Sequence, residues 1–154
     1  MWRNLFIALH TATAVTALLA GAATLRRVAL FDVYLWSLVG MEVFLVPALV
    51  VDWGDLDAVV RVLFVALAVL GAVMVGLAVQ ARSLRPVGGR APSARYVDRV
   101  MFTLVALFDA FAVITVLDAG APGWLVAVTA VVIAAAGHVV LRRVRARLVN
   151  PGSG

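Results

Sequence analysis

The chain has 154 residues, of which 65% are hydrophobic and 14% are charged, and its mean hydropathy is +1.11. These values exclude an ordinary soluble globular domain and predict an integral membrane protein, an all-α polytopic helix bundle. The formal net charge of +5 reflects 13 basic residues, all of them arginine, and arginine beside apolar spans marks a membrane face rather than a nucleic-acid partner.

Five apolar stretches are long enough to cross a hydrocarbon core, which requires about 20 helical residues for roughly 30 Å. They are residues 5–25, 28–51, 58–79, 100–117 and 124–141. The linkers and tails are too short to fold a soluble domain with its own core. We therefore expect a single multi-pass transmembrane domain in the cell membrane, with the lipid bilayer as its surroundings.

The first stretch gathers small and polar residues on one helical face, at spacings of three and four. Small residues let helix backbones approach closely in lipid, so this stripe predicts tight helix packing. The residues are His10, Ala14, Ala17, Gly21 and Thr24. Similar stripes follow in the third stretch (Ala68, Gly71, Val75, Ala78) and the fifth (Ala127, Ala130, Ala134, Gly137, Leu141).

The second stretch carries Glu42 near its middle and Pro47 five residues later. A carboxylate at that depth is costly unless an arginine, a cation or water compensates it. Proline has no N–H, so Pro47 leaves the carbonyl of Val43 without its usual helical donor. This combination predicts a cation or proton site, which Asp32 could connect to the membrane face. The alternative is that Glu42 bonds to neighbouring helices.

Orientation follows from the arginines. An outside N-terminus and an inside C-terminus place Arg26, Arg27, the basic segment 81–97 and the basic C-terminal end in the cytoplasm. The acidic turn 52–57, including Asp55, then lies outside. Arg61, about one turn inside the third stretch, is expected to extend toward the headgroups or to pair with an acid of that turn.

Residues 81–97 contain two prolines, the pair Gly88-Gly89 and four arginines, which predicts a flexible cytoplasmic loop. Such a loop attracts anionic lipid headgroups, although marking topology is sufficient reason for its charge. At its end, Asp98-Arg99-Val100 resembles the loop-to-helix junction in a small subunit of multi-subunit cation/proton antiporters. The resemblance covers only these residues, and the family's further acid falls on Thr103.

The fourth stretch carries the second deep acid, Asp109. Glu42 lies ten residues before Asp52 and Asp109 nine before Asp118, so both are about 14 to 15 Å from the outer boundary at roughly 1.5 Å per residue. Asp98, eleven residues before Asp109, shares its helical face and is a candidate approach to it.

No haem, metal or other cofactor is predicted. The chain has no cysteine, which excludes thiolate ligands. His10 is expected near the outer end of the first helix and His138 near the inner end of the fifth, so the two cannot ligate one iron. His10 is instead expected to bond to a neighbouring helix. No nucleophile, base and oxyanion donor occur together, which argues against an enzyme.

Two functions remain open. In the first, a channel, transporter or energy-coupling subunit passes protons or cations past Glu42 and Asp109, with Asp98 and Asp32 as approach groups and Pro47, Arg61 and His10 in support. In the second, the chain is an accessory subunit whose acids only hold helices together. Five short helices supply few polar residues for a complete path, so we expect a homo-oligomer or partner membrane subunits.

Overall fold

The computed structural model describes residues 2–54, 56–88 and 90–149, and their regular structure is helical. There are five long helices: α1 (Trp2–Thr24), α2 (Phe31–Asp52), α3 (Ala58–Arg82), α4 (Ala94–Asp118) and α5 (Gly123–Val149). All five are long and apolar enough to cross a membrane, which confirms the predicted helix class and the five candidate spans. Asp55 and Gly89, which the sequence places in the acidic turn and the basic loop, lie outside the described residues.

The helices fall into two compact units, one ending at Val79 and the other beginning at Gln80. In the first unit α1 and α2 pack together, and small side chains allow the close approach. Gly40 of α2 faces Thr13 of α1, and a Cβ at Gly40 would lie 3.3 Å from the Thr13 methyl carbon. The predicted stripe on α1 is buried at Ala14, Ala17, Gly21 and Thr24.

The connection between α1 and α2 is a tight turn. The backbone N–H groups of Arg26 and Arg27 both donate to the carbonyl of Ala23, at 3.0 and 2.8 Å. Residues Val28–Leu30 then form a short 3-10 helix before α2 begins at Phe31. The start of the second apolar stretch is therefore a separate turn.

The start of α3 is fixed by its own polar residues. Asp57 Oδ1 accepts a hydrogen bond from the backbone N–H of Val60 at 2.9 Å, as a helix-capping carboxylate does. The guanidinium of Arg61 lies 5.5 Å from the ring centroid of Trp53, and its Nη2 is 3.5 Å from the carbonyl oxygen of Gly54. Arg61 therefore holds the preceding turn against the helix.

In the second unit α4 begins at Ala94, six residues before the apolar stretch, and the connection to α3 is shorter than the predicted loop 81–97. The reason is local. Ser93 caps the helix by accepting from the backbone N–H of Tyr96 at 3.2 Å, and a cap marks a helix end that hydropathy does not detect. Helix α5 continues past Leu141 through the arginines to Val149, as the sequence indicates, because arginine is a good helix former.

Helices α4 and α5 run antiparallel and touch at two levels. Val105 of α4 packs against Gly137 of α5 so closely that a Cβ at Gly137 would overlap Val105 Cγ1 and lie 2.7 Å from Cγ2. Arg145 Nη1 is 3.3 Å from Asp98 Oδ2 at the end where α4 begins. A glycine contact and an ion pair therefore set the register of this helix pair.

Candidate functional site

The carboxylate of Glu42 lies between α2 and α3, against Gly71. A Cβ at Gly71 would overlap Glu42 Oε2 and lie 2.9 Å from Cδ, so a glycine is what leaves room for the carboxylate. Glu42 Oε2 is buried and has no hydrogen-bond partner among the residues that the structure describes. Here the packing stripe predicted on α3 accommodates a charged group of another helix.

Pro47 lies inside α2, as the sequence predicts, and interrupts its hydrogen bonding beside Glu42. The N–H that would donate to the carbonyl of Val43 is missing, and Val43 directly follows Glu42 in the chain. An unpaired acceptor in the hydrocarbon region needs another partner. The unpartnered Oε2 of Glu42 and a carbonyl without its i+4 donor thus belong to adjacent residues of α2.

His10 holds α1 to the same level of α2. Its Nδ1 lies 2.9 Å from the carbonyl oxygen of Met41, the residue before Glu42. A carbonyl can only accept, so Nδ1 carries the proton and donates. The prediction that His10 bonds to a neighbouring helix is confirmed. Met41 therefore contacts α1 through its carbonyl, and Glu42 contacts α3 through its carboxylate.

Asp109 occupies a comparable position on α4. Its Oδ1 is buried and, within the described part of the chain, has no hydrogen-bond partner. Asp98, Val105 and Asp109 are seven and four residues apart, which places them on one face of α4. The contacts of Asp98 with Arg145 and of Val105 with Gly137 show that this face meets α5.

Asp98 is occupied by its ion pair with Arg145, in which its side chain is 37% exposed and that of Arg145 51%. The Val105–Gly137 contact lies between this pair and Asp109 along α4. A route from Asp98 to Asp109, as proposed from the sequence, would have to pass that apolar contact.

The remaining candidates lie near helix ends or on exposed surfaces. Asp32 is in the first turn of α2, where a carboxylate is favoured by the positive end of the helix dipole. Arg61 is near the start of α3 and its Nε, though buried, has no partner among the described residues. His138 is exposed on α5. Glu42 belongs to the first unit and Asp109 to the second.

Two residues that contact the candidate acids could not be identified from the sequence. The sequence predicts only close helix packing for Gly71 and a cytoplasmic helix end for Arg145. Helical periodicity shows which residues share a face, but it does not show which helix that face meets. Within the described residues, no group of three or more His, Asp or Glu side chains could hold a metal ion. The chain matches no family model, no curated protein and no solved structure.

Proposed function

We propose that the chain is a small subunit of the cell membrane that passes protons or cations across the bilayer, with Glu42 as a binding group. One observation carries the proposal: a buried carboxylate oxygen in the middle of an apolar helix lacks a hydrogen-bond donor among the described residues. Such a group is costly in hydrocarbon and persists where it binds a proton, a cation or water.

The neighbouring groups suit that chemistry. Glu42 supplies carboxylate oxygens, and Pro47 frees the carbonyl of Val43 beside it. A cation is attracted to both kinds of oxygen, as at interrupted membrane helices. A proton instead binds the carboxylate, and the resulting O–H can donate to a carbonyl that has no helical partner.

Asp109 is the second binding group of the proposal. Its buried Oδ1 is also without a described partner, and it lies near the middle of an apolar helix. Asp98 contributes differently, since its pairing with Arg145 already compensates one of its oxygens.

The accessory-subunit alternative is supported by α5. Within its apolar window no residue is buried, although small residues such as Ala127 and Ala134 allow close helix approach. A partner helix could occupy this surface, and the acids would then stabilise an assembly. Both the transport function and the accessory function are compatible with a chain that acts inside a homo-oligomer or a larger complex.

The test measures ion and proton flux and thermal stability on the same proteoliposome preparations, with and without co-purified membrane partners. Glu42→Gln and Asp109→Asn keep most hydrogen-bonding capacity but cannot release a proton. We expect both to abolish flux while unfolding like the wild type. Asp118→Asn, the same change at the exposed end of α4, is the matched control and should leave flux unchanged.

The accessory reading predicts the reverse result. A carboxylate that is held by a partner loses a charge-assisted bond on conversion to the amide, at a cost of about 2 to 5 kcal/mol. Destabilised variants, together with wild-type flux equal to that of empty liposomes in the presence of the partners, would contradict transport.

A further inference from the structure

The carboxylate of Glu42 contacts an apolar part of α3. Gly71 lies so close to it that a Cβ at position 71 would overlap Oε2. Residues 62–79 of α3 contain no polar side chain, and the nearest charged residue on that helix, Arg61, lies ten residues before Gly71, about 15 Å along the axis. Helix α3 therefore supplies neither a counter-charge nor a side-chain oxygen at the level of Glu42.

Helix α1 packs on a different side of α2. Gly40, which faces Thr13 of α1, lies about 160° around α2 from Glu42, at about 100° per residue. The titratable group that α1 brings to this level is His10, whose Nδ1 donates to the carbonyl of Met41. Thr13 therefore lies on the far side of α2 from the carboxylate, and His10 is bonded to the α2 backbone.

Helix α2 itself adds one free carbonyl. That of Val43 has lost its helical donor to the proline four residues later. Ser37 is exposed and lies about 140° around α2 from Glu42, and the acids Asp32 and Asp52 are each ten residues from it, about 15 Å along the axis. The described residues of the first unit thus offer an ion at this level at most two carboxylate oxygens and one carbonyl oxygen.

Three oxygen atoms are too few for a metal cation in apolar surroundings. Mg²⁺ and Ca²⁺ take about six or more oxygen ligands, and K⁺ is held where rings of carbonyl oxygens replace its water. A proton needs one carboxylate oxygen, and the neutral carboxyl group that results is far less costly in hydrocarbon than the carboxylate. On the basis of the transport function proposed above, we propose that the ion bound by Glu42 is a proton and not a metal cation. An O–H bond forms on uptake and breaks on release, and no other reactant is needed.

The test follows the protonation of Glu42 directly. Glu42 is the only glutamate of the chain, so the titration needs no substitution. The full chain is made by cell-free synthesis with glutamate that carries the NMR-active carbon isotope at its side-chain carboxyl, and is placed in liposomes. The chemical shift of this carbon in solid-state NMR distinguishes the neutral from the ionised group. The pH is raised from about 5 to about 10, which covers exposed and buried carboxyl groups, in choline, sodium and potassium salts of equal ionic strength.

We expect the signal to move from the neutral to the ionised position as the pH rises, with a midpoint that agrees among the three salts to within about twofold in proton concentration. A metal cation that competed for the carboxylate would lower the midpoint by about one pH unit for each tenfold excess over its dissociation constant. A shift of that size in the sodium or potassium salt would overturn the proposal. A signal that stays at one position over the whole range would also overturn it.

Flux through the same liposomes separates this proposal from transport itself. Proton flux in choline salt that Glu42→Gln abolishes and Asp118→Asn retains would support both. Sodium or potassium flux that Glu42→Gln abolishes, without proton flux, would keep the transport function and overturn the proton assignment. A titration of Glu42 that is independent of the salt, without flux of any ion, would support proton binding and contradict transport.

Discussion

The substitution Gly71→Ala tests whether the position of the Glu42 carboxylate matters for function. The added Cβ would overlap Glu42 Oε2 and lie 2.9 Å from Cδ and 3.4 Å from Oε1. These atoms are the far end of a flexible side chain, so the carboxylate can move while both backbones stay in place. The substitution therefore displaces the proposed binding group without removing it.

The expected change in stability is small. Replacing glycine by alanine inside a helix contributes about 1 kcal/mol of stability, and moving a side chain about 30° from its preferred rotamer costs about 0.5 to 1.5 kcal/mol. The two effects nearly cancel at Gly71. At Gly76, on the same helix, an added Cβ meets nothing within 4 Å, so Gly76→Ala is the matched control and should be neutral or stabilising.

The assay compares flux in proteoliposomes with thermal unfolding in detergent for the wild type, Gly71→Ala and Gly76→Ala. We expect Gly71→Ala to lose flux about tenfold or more, since misplacing a reacting group by about 1 Å costs up to a hundredfold in enzymes. The double variant Glu42→Gln/Gly71→Ala should behave like Glu42→Gln alone. If Gly71→Ala unfolds more easily by about 3 kcal/mol, as overpacking of backbones does, and keeps its flux per folded molecule, the reasoning is refuted.

Three further predictions concern the helix pairs and the topology. Gly137→Ala should destabilise the chain by about 1 to 3 kcal/mol in thermal melts, because the β-branched Val105 cannot turn away from the added Cβ. Gly123→Ala is the control and should not destabilise the chain, since Gly123 has open space around it. Equal melting temperatures of the two variants would contradict the Val105–Gly137 contact. His10→Ala should cost about 0.6 to 2 kcal/mol through the lost bond to Met41, and wild-type stability would argue against that bond. A reporter after α5 should read cytoplasmic and one between α2 and α3 extracytoplasmic, and the reverse result at either place would reject the predicted orientation.

The sequence was sufficient for the helices because hydropathy and length determine which segments can span a bilayer. It was less reliable at the start of α4. The start of α4 depends on Ser93, whose capping bond is a local polar interaction outside the apolar stretch. The end of α5 could be predicted, because the arginines after the apolar stretch are good helix formers although poor membrane residues, and the helix continues through them to Val149. Hydropathy therefore identifies the apolar part of a helix, whereas capping residues identify where the helix begins and ends.

The candidate site was predictable in part for a related reason. Glu42 and Pro47 stand out because a carboxylate and a proline are unusual inside an apolar stretch. Gly71 does not stand out, since glycine in a membrane helix normally indicates close packing. Its role becomes visible only when the register of α2 against α3 is known, and periodicity within one helix carries no information about that register.

The carboxylates of Asp98 and Glu42 have different surroundings. Asp98 lies near a helix end, is 37% exposed, and its Oδ2 pairs with Arg145 at 3.3 Å, whereas its buried Oδ1 has no partner among the described residues. Glu42 lies deep in α2, and its carboxylate lies against Gly71 of α3, which has no donor side chain. A carboxylate whose only task was to join helices would be stabilised more by a donor side chain at position 71 than by a glycine. The carboxylate itself fills the room that Gly71 leaves, and its buried Oε2, which has no donor among the described residues, is the group that we propose to bind a proton, a cation or water.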